Sequence, residues 1–74
     1  MSKHYVQQQS ERFFETNGIK KNGKVVFKLR KVGDVSDTGH EIFFLERIIG
    51  ERASQIFYVI YHSEKGHCTI VEGA

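Results

Sequence analysis

Apolar and polar residues alternate along residues 25–30, where Lys28 and Arg30 separate Phe27 and Leu29 and follow Val25. This period of two, with one charged side, predicts a β-strand that is half exposed to water and begins near residue 24. Lysines suit the edge of a sheet because their charge discourages pairing with another chain. The next segment, GDVSDTG, has the composition of a loop over residues 33–39.

Two further stretches, residues 41–49 and 55–62, carry six apolar residues each. Most of their apolar residues are β-branched or aromatic, which favours strands over helices. After a turn at residues 63–66, the sequence HCTIVE predicts a returning fourth strand over residues 67–72.

A helix over residues 40–49 is an alternative to the strand. Thr38 and Glu41 have the spacing of a capping box, and Gly50 would be a natural stop. The apolar residues of this segment spread around most of a helical wheel, so the strand is the preferred prediction.

The N-terminal segment has helical spacing instead. Val6, Gln9 or Ser10, and Phe13 fall near one stripe of a helix, and Tyr5 and Phe14 widen that stripe. We predict a helix over residues 3–16, with Ser2 as N-cap and a stop at Asn17-Gly18, where glycine tolerates the left-handed conformation. The polar run at residues 7–10 leaves a partly disordered arm as the alternative.

The order of these elements predicts an α+β fold, in which one N-terminal helix packs on a four-stranded antiparallel β-meander. We expect a single small domain over residues 1–74, with residues 1–18 as the helix or arm and residues 19–74 as the meander. A small, mostly-β barrel is the alternative architecture.

The two central strands carry apolar residues on both faces, although one short helix can cover only one face. We therefore expect a second body to cover the other, either a second copy in a homodimer or another protein. The predicted protein-binding face consists of Ile42, Phe44, Ile56, Tyr58 and Ile60.

Cysteine usage and hydropathy suggest a compartment. Cys68 is the single cysteine, so no disulfide forms within the chain, which fits a reducing environment. The first ten residues contain no apolar run typical of a secretory signal, and no apolar run reaches the roughly 20 residues that span a bilayer. We expect a soluble, cytoplasmic protein without a membrane partner.

The net charge of +2 conceals a basic segment, because residues 20–31 carry six of the eleven basic residues and no acidic one. Such a segment can follow a phosphate backbone, with exposed aromatic residues stacking on bases. Nucleic-acid binding is therefore an alternative function. Its candidate residues are Lys20, Lys21, Lys24, Lys28, Arg30 and Lys31.

Two histidines and the cysteine meet around the last predicted turn. A three-residue loop would pair His62 with Cys68, whereas a four-residue loop would pair His62 with His67, and the two registers exclude each other. Zinc needs three or four ligands, and a third would have to come from His40 or His4. A plain hairpin is the preferred interpretation, with a metal site at His62, His67 and Cys68 as a weak alternative.

Catalytic motifs are sparse. The triplet Asp37-Thr38-Gly39 resembles the short motif of the aspartic proteases, which need two such aspartates. Ser36, Asp37 and His40 are close in sequence, but closeness along a loop does not make a triad. We expect no enzymatic activity, no cofactor and no small-molecule substrate.

These patterns predict a small non-enzymatic binding or regulatory protein that acts by macromolecular docking. Its size and lack of catalytic motifs resemble those of inhibitors and accessory proteins carried by mobile elements. The alternatives are a nucleic-acid-binding module built on residues 20–31 and a metal-binding or enzymatic site at residues 62–68.

Overall fold

The structure, a computed structural model, describes residues 2–19, 23 and 25–73. Its elements in chain order are α1 (Ser2–Thr16), β1 (Phe27–Val35), β2 (His40–Ile48), β3 (Ser54–His62) and β4 (His67–Glu72). The strands form one open antiparallel sheet in the order β1-β2-β3-β4. The predicted α+β fold with a β-meander is confirmed, whereas the barrel and the helix over residues 40–49 are wrong.

Helix α1 is attached to the sheet by one buried stripe, formed by Val6, Ser10 and Phe14. Their spacing of four residues places them on the same side of the helix. The ring of Phe14 packs between Phe27 and Phe57, with centroid distances of 5.5 and 5.7 Å. Burial of each large apolar side chain contributes about 1.5–3 kcal/mol, so this stripe anchors the helix.

The helix ends where the sequence predicted. The amide of Ile19 donates to the carbonyl of Phe14 at 2.9 Å and that of Gly18 to Glu15 at 3.1 Å, which is the Schellman pattern. Gly18 has a φ of 72°, which glycine adopts without steric cost. Ile19 then packs against the core.

The start of α1 differs from the prediction. Ser2 lies within the helix, and its Oγ donates to Oε1 of Glu41 on β2 at 2.9 Å. The hydroxyl therefore links the helix to the sheet instead of acting as the predicted N-cap.

The core lies between α1 and one face of the sheet. Its buried apolar residues are Val6, Phe14, Phe43, Leu45, Phe57 and Val59. Half-buried apolar residues packed against them are Phe13, Ile19, Val25, Phe27, Leu29, Tyr61, Cys68 and Ile70. Because α1 covers this face, we call it the helix-covered face and the other the open face.

Strand β1 both begins and ends later in the chain than predicted, at Phe27 and Val35, and it contains a β-bulge. Lys31 pairs with Phe43 and Gly33 with Ile42, so Val32 is an extra residue without a partner on β2. The bulge reverses the alternation of faces. Residues 33–35 continue the strand, although Gly33 and Asp34 give this segment the composition of a loop. The predicted loop over residues 33–39 is therefore wrong for its first three residues.

Two four-residue loops lie side by side at one end of the sheet, at residues 36–39 and 63–66. Each ends in a glycine with positive φ, 74° at Gly39 and 68° at Gly66. Oγ of Ser63 donates to the carbonyl of Gly39 at 2.7 Å, which joins the two loops. The second loop pairs His62 with His67, so the four-residue register is the correct one.

Candidate functional site on the open face

The open face carries a continuous apolar patch across the central strands. Strand pairing aligns Phe44 with Tyr58 and Val71 in one row, and Ile42 with Ile60 in the next. On the opposite side of the Phe44 row, Ile56 pairs with Glu46. We call the six residues Ile42, Phe44, Ile56, Tyr58, Ile60 and Val71 the apolar patch.

The five residues predicted from sequence as a protein-binding face all belong to this patch, and no other element of the described chain packs over it. Tyr58 is 42% and Val71 46% exposed, and the other four are half-buried. Valine at position 71 was missed by sequence reasoning because β4 is short and its alternation is weak. The patch leaves large apolar side chains in contact with water.

An aromatic pair occupies the centre of the patch. The rings of Phe44 and Tyr58 meet edge to face with centroids 5.8 Å apart. The guanidinium of Arg30 lies 5.0 Å from the centre of the Phe44 ring, in the geometry of a cation–π contact. At one margin of the patch, the amide of Gly73 donates a hydrogen bond to the carbonyl of Ile56 at 2.8 Å.

Of the six basic residues predicted to bind nucleic acid, the structure describes Lys28, Arg30 and Lys31. Lys20, Lys21 and Lys24 lie outside the described residues. Lys28 and Arg30 share the open face, but Lys28 pairs across the strands with Glu46. Within the described part of the chain, the open face therefore carries only a small positive charge beside its apolar patch.

Lys31 is directed elsewhere. On the helix-covered side, its Nζ lies 2.8 Å from a carboxylate oxygen of Asp34 and 3.1 Å from one of Glu41. Hydrogen bonds to these two carboxylates raise the pKa of Lys31 above its usual value. The ammonium is already paired, so Lys31 adds nothing to a basic surface on the open face.

Three histidines line up across one end of the open face. The ring centroids of His40 and His62 are 4.5 Å apart, and those of His62 and His67 are 4.6 Å apart. Nε2 of His40 lies 2.9 Å from Oε1 of Glu64, which extends from the neighbouring loop. The potential ligand atoms of His40, His62 and Glu64 all lie within 4.8 Å of one another, and we call these three residues the histidine cluster.

Burial and neighbouring charges act on the histidine cluster. Burial lowers the pKa of His62 below its usual value, and the charges of His40 and His67 lower it further against the opposing effect of Glu64. The hydrogen bond from His40 lowers the pKa of Glu64. The Thr69 hydroxyl lies 2.9 Å from Nε2 of His62 and holds that ring in place.

Cys68 does not join the histidines. It pairs with Tyr61 and packs against the core on the helix-covered face, whereas His62 and His67 lie on the open face. Burial raises the pKa of its thiol, so the thiolate that zinc requires is disfavoured there. Instead of Cys68, the structure brings His40 and Glu64 to His62.

Sequence reasoning did not predict that His40 and Glu64 meet His62, although a signal exists. The two loops and the residue after each read S-D-T-G-H and S-E-K-G-H, with serine, an acid, glycine and histidine at the same positions. Each histidine opens the strand that follows its loop. The repeat indicates two similar hairpins, whose ends become neighbours in a meander.

The residues of the candidate catalytic motifs lie in the first of these loops. Asp37, Thr38 and Gly39 form part of the exposed turn between β1 and β2. The amide of His40 donates to Oγ1 of Thr38, and its imidazole bonds to Glu64. Among the hydrogen bonds of the described residues, none joins Ser36 or Asp37 to the His40 ring.

None of the described helices is both long and apolar enough to cross a lipid bilayer.

Comparison of the chain with protein-family models, with curated proteins and with solved structures gives no match. Function therefore has to be inferred from the geometry of the open face.

Proposed function

We propose that this protein is a small non-enzymatic binding protein that works as a homodimer, in which the open faces of two sheets pack against each other. The observation that carries this proposal is the apolar patch. Six large or β-branched apolar side chains form one surface, and the covering helix lies on the opposite side of the sheet. Apolar patches of this kind mark interaction sites on soluble proteins.

The size of the face suits a second copy. Three strands of nine residues and one of six, about 4.8 Å apart, give a projected area of at most roughly 19 by 30 Å. The accessible area is larger than this projection because it follows the relief of the side chains, and a standard interface buries about 800 Å² per partner. Two sheets stacked face to face are a common packing mode.

The distribution of charge also suits a twofold dimer. The apolar patch is centred on β2 and β3, whereas Lys28 and Arg30 lie on the edge strand β1. A twofold axis parallel to the strands places one apolar centre over the other and keeps the two β1 edges apart. The result is an apolar interface with a polar rim, as in stable complexes.

Sedimentation equilibrium from low micromolar to near-millimolar concentration tests the proposal. We expect a dimer for the natural chain and a folded monomer for Ile60→Lys, because the new charge would be buried without a partner. Tyr58→Lys provides a second variant at a position that tolerates charge in the monomer, since Tyr58 is 42% exposed. Circular dichroism confirms folding.

Ile49→Lys is the matched control, because Ile49 is 54% exposed but lies beyond the end of β2, outside the patch. We expect this variant to remain a dimer. A natural chain that stays monomeric at every concentration, or a dimer that both patch variants leave intact, would contradict the proposal.

Nucleic-acid binding by the same face is the second candidate function, favoured by the position of Arg30 over Phe44 beside Tyr58. Bases stack on exposed aromatic rings, and each stack contributes about 1–3 kcal/mol. Arg30→Ala and Lys31→Ala form a matched pair, because both remove one positive charge but Lys31 is already bound to carboxylates.

Fluorescence anisotropy with oligothymidine and oligouridine at low salt tests this second candidate. We expect Arg30→Ala and Tyr58→Ala to weaken binding and Lys31→Ala to leave it nearly unchanged, with affinity falling as salt rises. Absence of binding at low salt, or equal losses in the two charge variants, would remove this function.

A further inference from the structure

We propose that the histidine cluster, formed by His40, His62 and Glu64, binds a divalent transition-metal ion of the zinc class. The three side chains come from β2, β3 and the loop between β3 and β4, so the fold brings together ligands from separate parts of the chain. This proposal does not depend on the homodimer, because the cluster lies at one end of the open face and the apolar patch at its centre.

The distances allow a shared ion after small movements of side chains. Bonds of about 2.0–2.1 Å in a tetrahedron place zinc ligands about 3.3 Å apart. Nε2 of His40 and Oε1 of Glu64 are already 2.9 Å apart, and no pair of ligand atoms in the cluster exceeds 4.8 Å. The Glu64 side chain is 48% exposed, so it has room to adjust.

The ligand types select the class of metal. Two imidazoles and one carboxylate suit zinc, copper, nickel and cobalt, whereas magnesium and calcium prefer sites built from oxygen alone. Three protein ligands leave a fourth position for water. The ring of His67 lies next to that of His62, but His67 is not one of the three residues whose ligand atoms lie within 4.8 Å of one another.

Surrounding groups hold the ligands in place. The Thr69 hydroxyl bonds to Nε2 of His62 at 2.9 Å, as outer partners do for ligating histidines. The loop that carries Glu64 is fastened by Ser63, whose hydroxyl donates to the carbonyl of Gly39 at 2.7 Å. The antiparallel register of β2 and β3 places His40 and His62 opposite each other, and their ring centroids lie 4.5 Å apart.

Calorimetric titration of the metal-free protein with Zn²⁺ tests this proposal. We expect one ion per chain, and His40→Gln and Glu64→Gln to weaken binding at least about tenfold, since loss of even an outer partner costs 10–100-fold. His4→Gln and Glu51→Gln are matched controls, because both residues are exposed and lie outside the cluster. We expect both controls to bind like the natural chain.

NMR spectra of the same samples locate the ion. We expect saturating shifts in the ring signals of His40 and His62, and the same shifts in the Tyr58→Lys variant, which keeps the cluster but alters the apolar patch. Mg²⁺ and Ca²⁺ at equal concentration are expected to produce none of these shifts.

Three outcomes would overturn the proposal. These are no saturable Zn²⁺ binding up to near-millimolar concentration, equal binding by the cluster variants and the controls, and equal shifts with Mg²⁺. Glu64 lies in an exposed loop, so its substitution reports on binding even if His40→Gln disturbs the fold.

Discussion

Ser10 shows how one polar residue is accommodated in an apolar stripe. It is fully buried between Val6 and Phe14, and its Oγ donates to the carbonyl of Val6 at 2.8 Å. The Val6 carbonyl also accepts the normal helical hydrogen bond from the backbone amide four residues later. The serine hydroxyl is therefore hydrogen-bonded within the helix and adds no tertiary contact. Such back-bonding slightly destabilises a helix.

We therefore expect Ser10→Ala to be neutral or to stabilise the fold by about 0.5 kcal/mol, because alanine has the higher helix propensity and leaves no polar atom unpaired. Urea denaturation measures the change in the free energy of unfolding. A loss of more than about 1 kcal/mol would show that the hydroxyl contributes more than its local bond.

The pKa of His62 is shifted by its surroundings. Burial lowers its pKa, the charges of His40, His67 and Lys65 act in the same direction, and Glu64 opposes them. The folded chain therefore binds a proton at His62 less readily than the unfolded chain does. The stabilising contribution of neutral His62 is present above the unfolded pKa of 6.5 and is lost as pH falls.

We expect NMR titration of the metal-free protein to give His62 a pKa below 6.5. In the double variant His40→Gln, His67→Gln that pKa should rise, because two neighbouring positive charges are removed while part of the burial remains. A His62 pKa that is unchanged in the double variant would contradict this account.

At the scale of elements, the two loops at residues 36–39 and 63–66 are near copies with different surroundings. Gly39 and Gly66 share a left-handed conformation. A Cβ on Gly39 would lie 2.9 Å from Oγ of Ser63, whereas a Cβ on Gly66 would meet nothing within 4 Å. The pair therefore separates the cost of the backbone conformation from the cost of the contact between loops.

We expect Gly66→Ala to destabilise the fold by about 1–2 kcal/mol, the cost of a left-handed conformation for a residue with a side chain. Gly39→Ala should cost more, because it also displaces the Ser63 hydroxyl from the Gly39 carbonyl. Urea denaturation of both variants gives the comparison, and equal losses would mean that the bond between the loops adds nothing to stability.

The elements themselves were largely predictable from sequence. Asn17-Gly18 marked the helix end, and alternating or β-branched residues marked four strands. The error at residues 33–35 has a physical cause, because glycine and aspartate are typical of loops, whereas pairing with β2 continues through them after the bulge at Val32. The neighbours of His62 depend on strand order and hairpin register, which are tertiary properties.

At the scale of the whole molecule, the two faces of the sheet differ in what they contribute. Phe14 is fully buried against Phe13, Phe27 and Phe57, whereas Tyr58 on the open face remains 42% exposed. A domain of this size has a stability of about 4–11 kcal/mol, so a single core truncation removes a large part of it.

We expect Phe14→Ala to lower the free energy of unfolding by about 3–5 kcal/mol. Tyr58→Ala, measured at a concentration at which the chain is monomeric, should cost less than about 1.5 kcal/mol, since 42% of its surface is already in water. Similar losses in both variants would show that the open face also belongs to the folding core.

The bulge at Val32 has a consequence for growth of the sheet. The outer strand β1 is bulged and carries lysines, so it offers an irregular row of amides and carbonyls to any incoming strand. The opposite outer strand, β4, has only six residues. Both outer strands therefore disfavour lateral extension into fibrils. In the homodimer proposed above, stacking through the open face would end after two copies, so the assembly would be a finite particle and not an unlimited polymer.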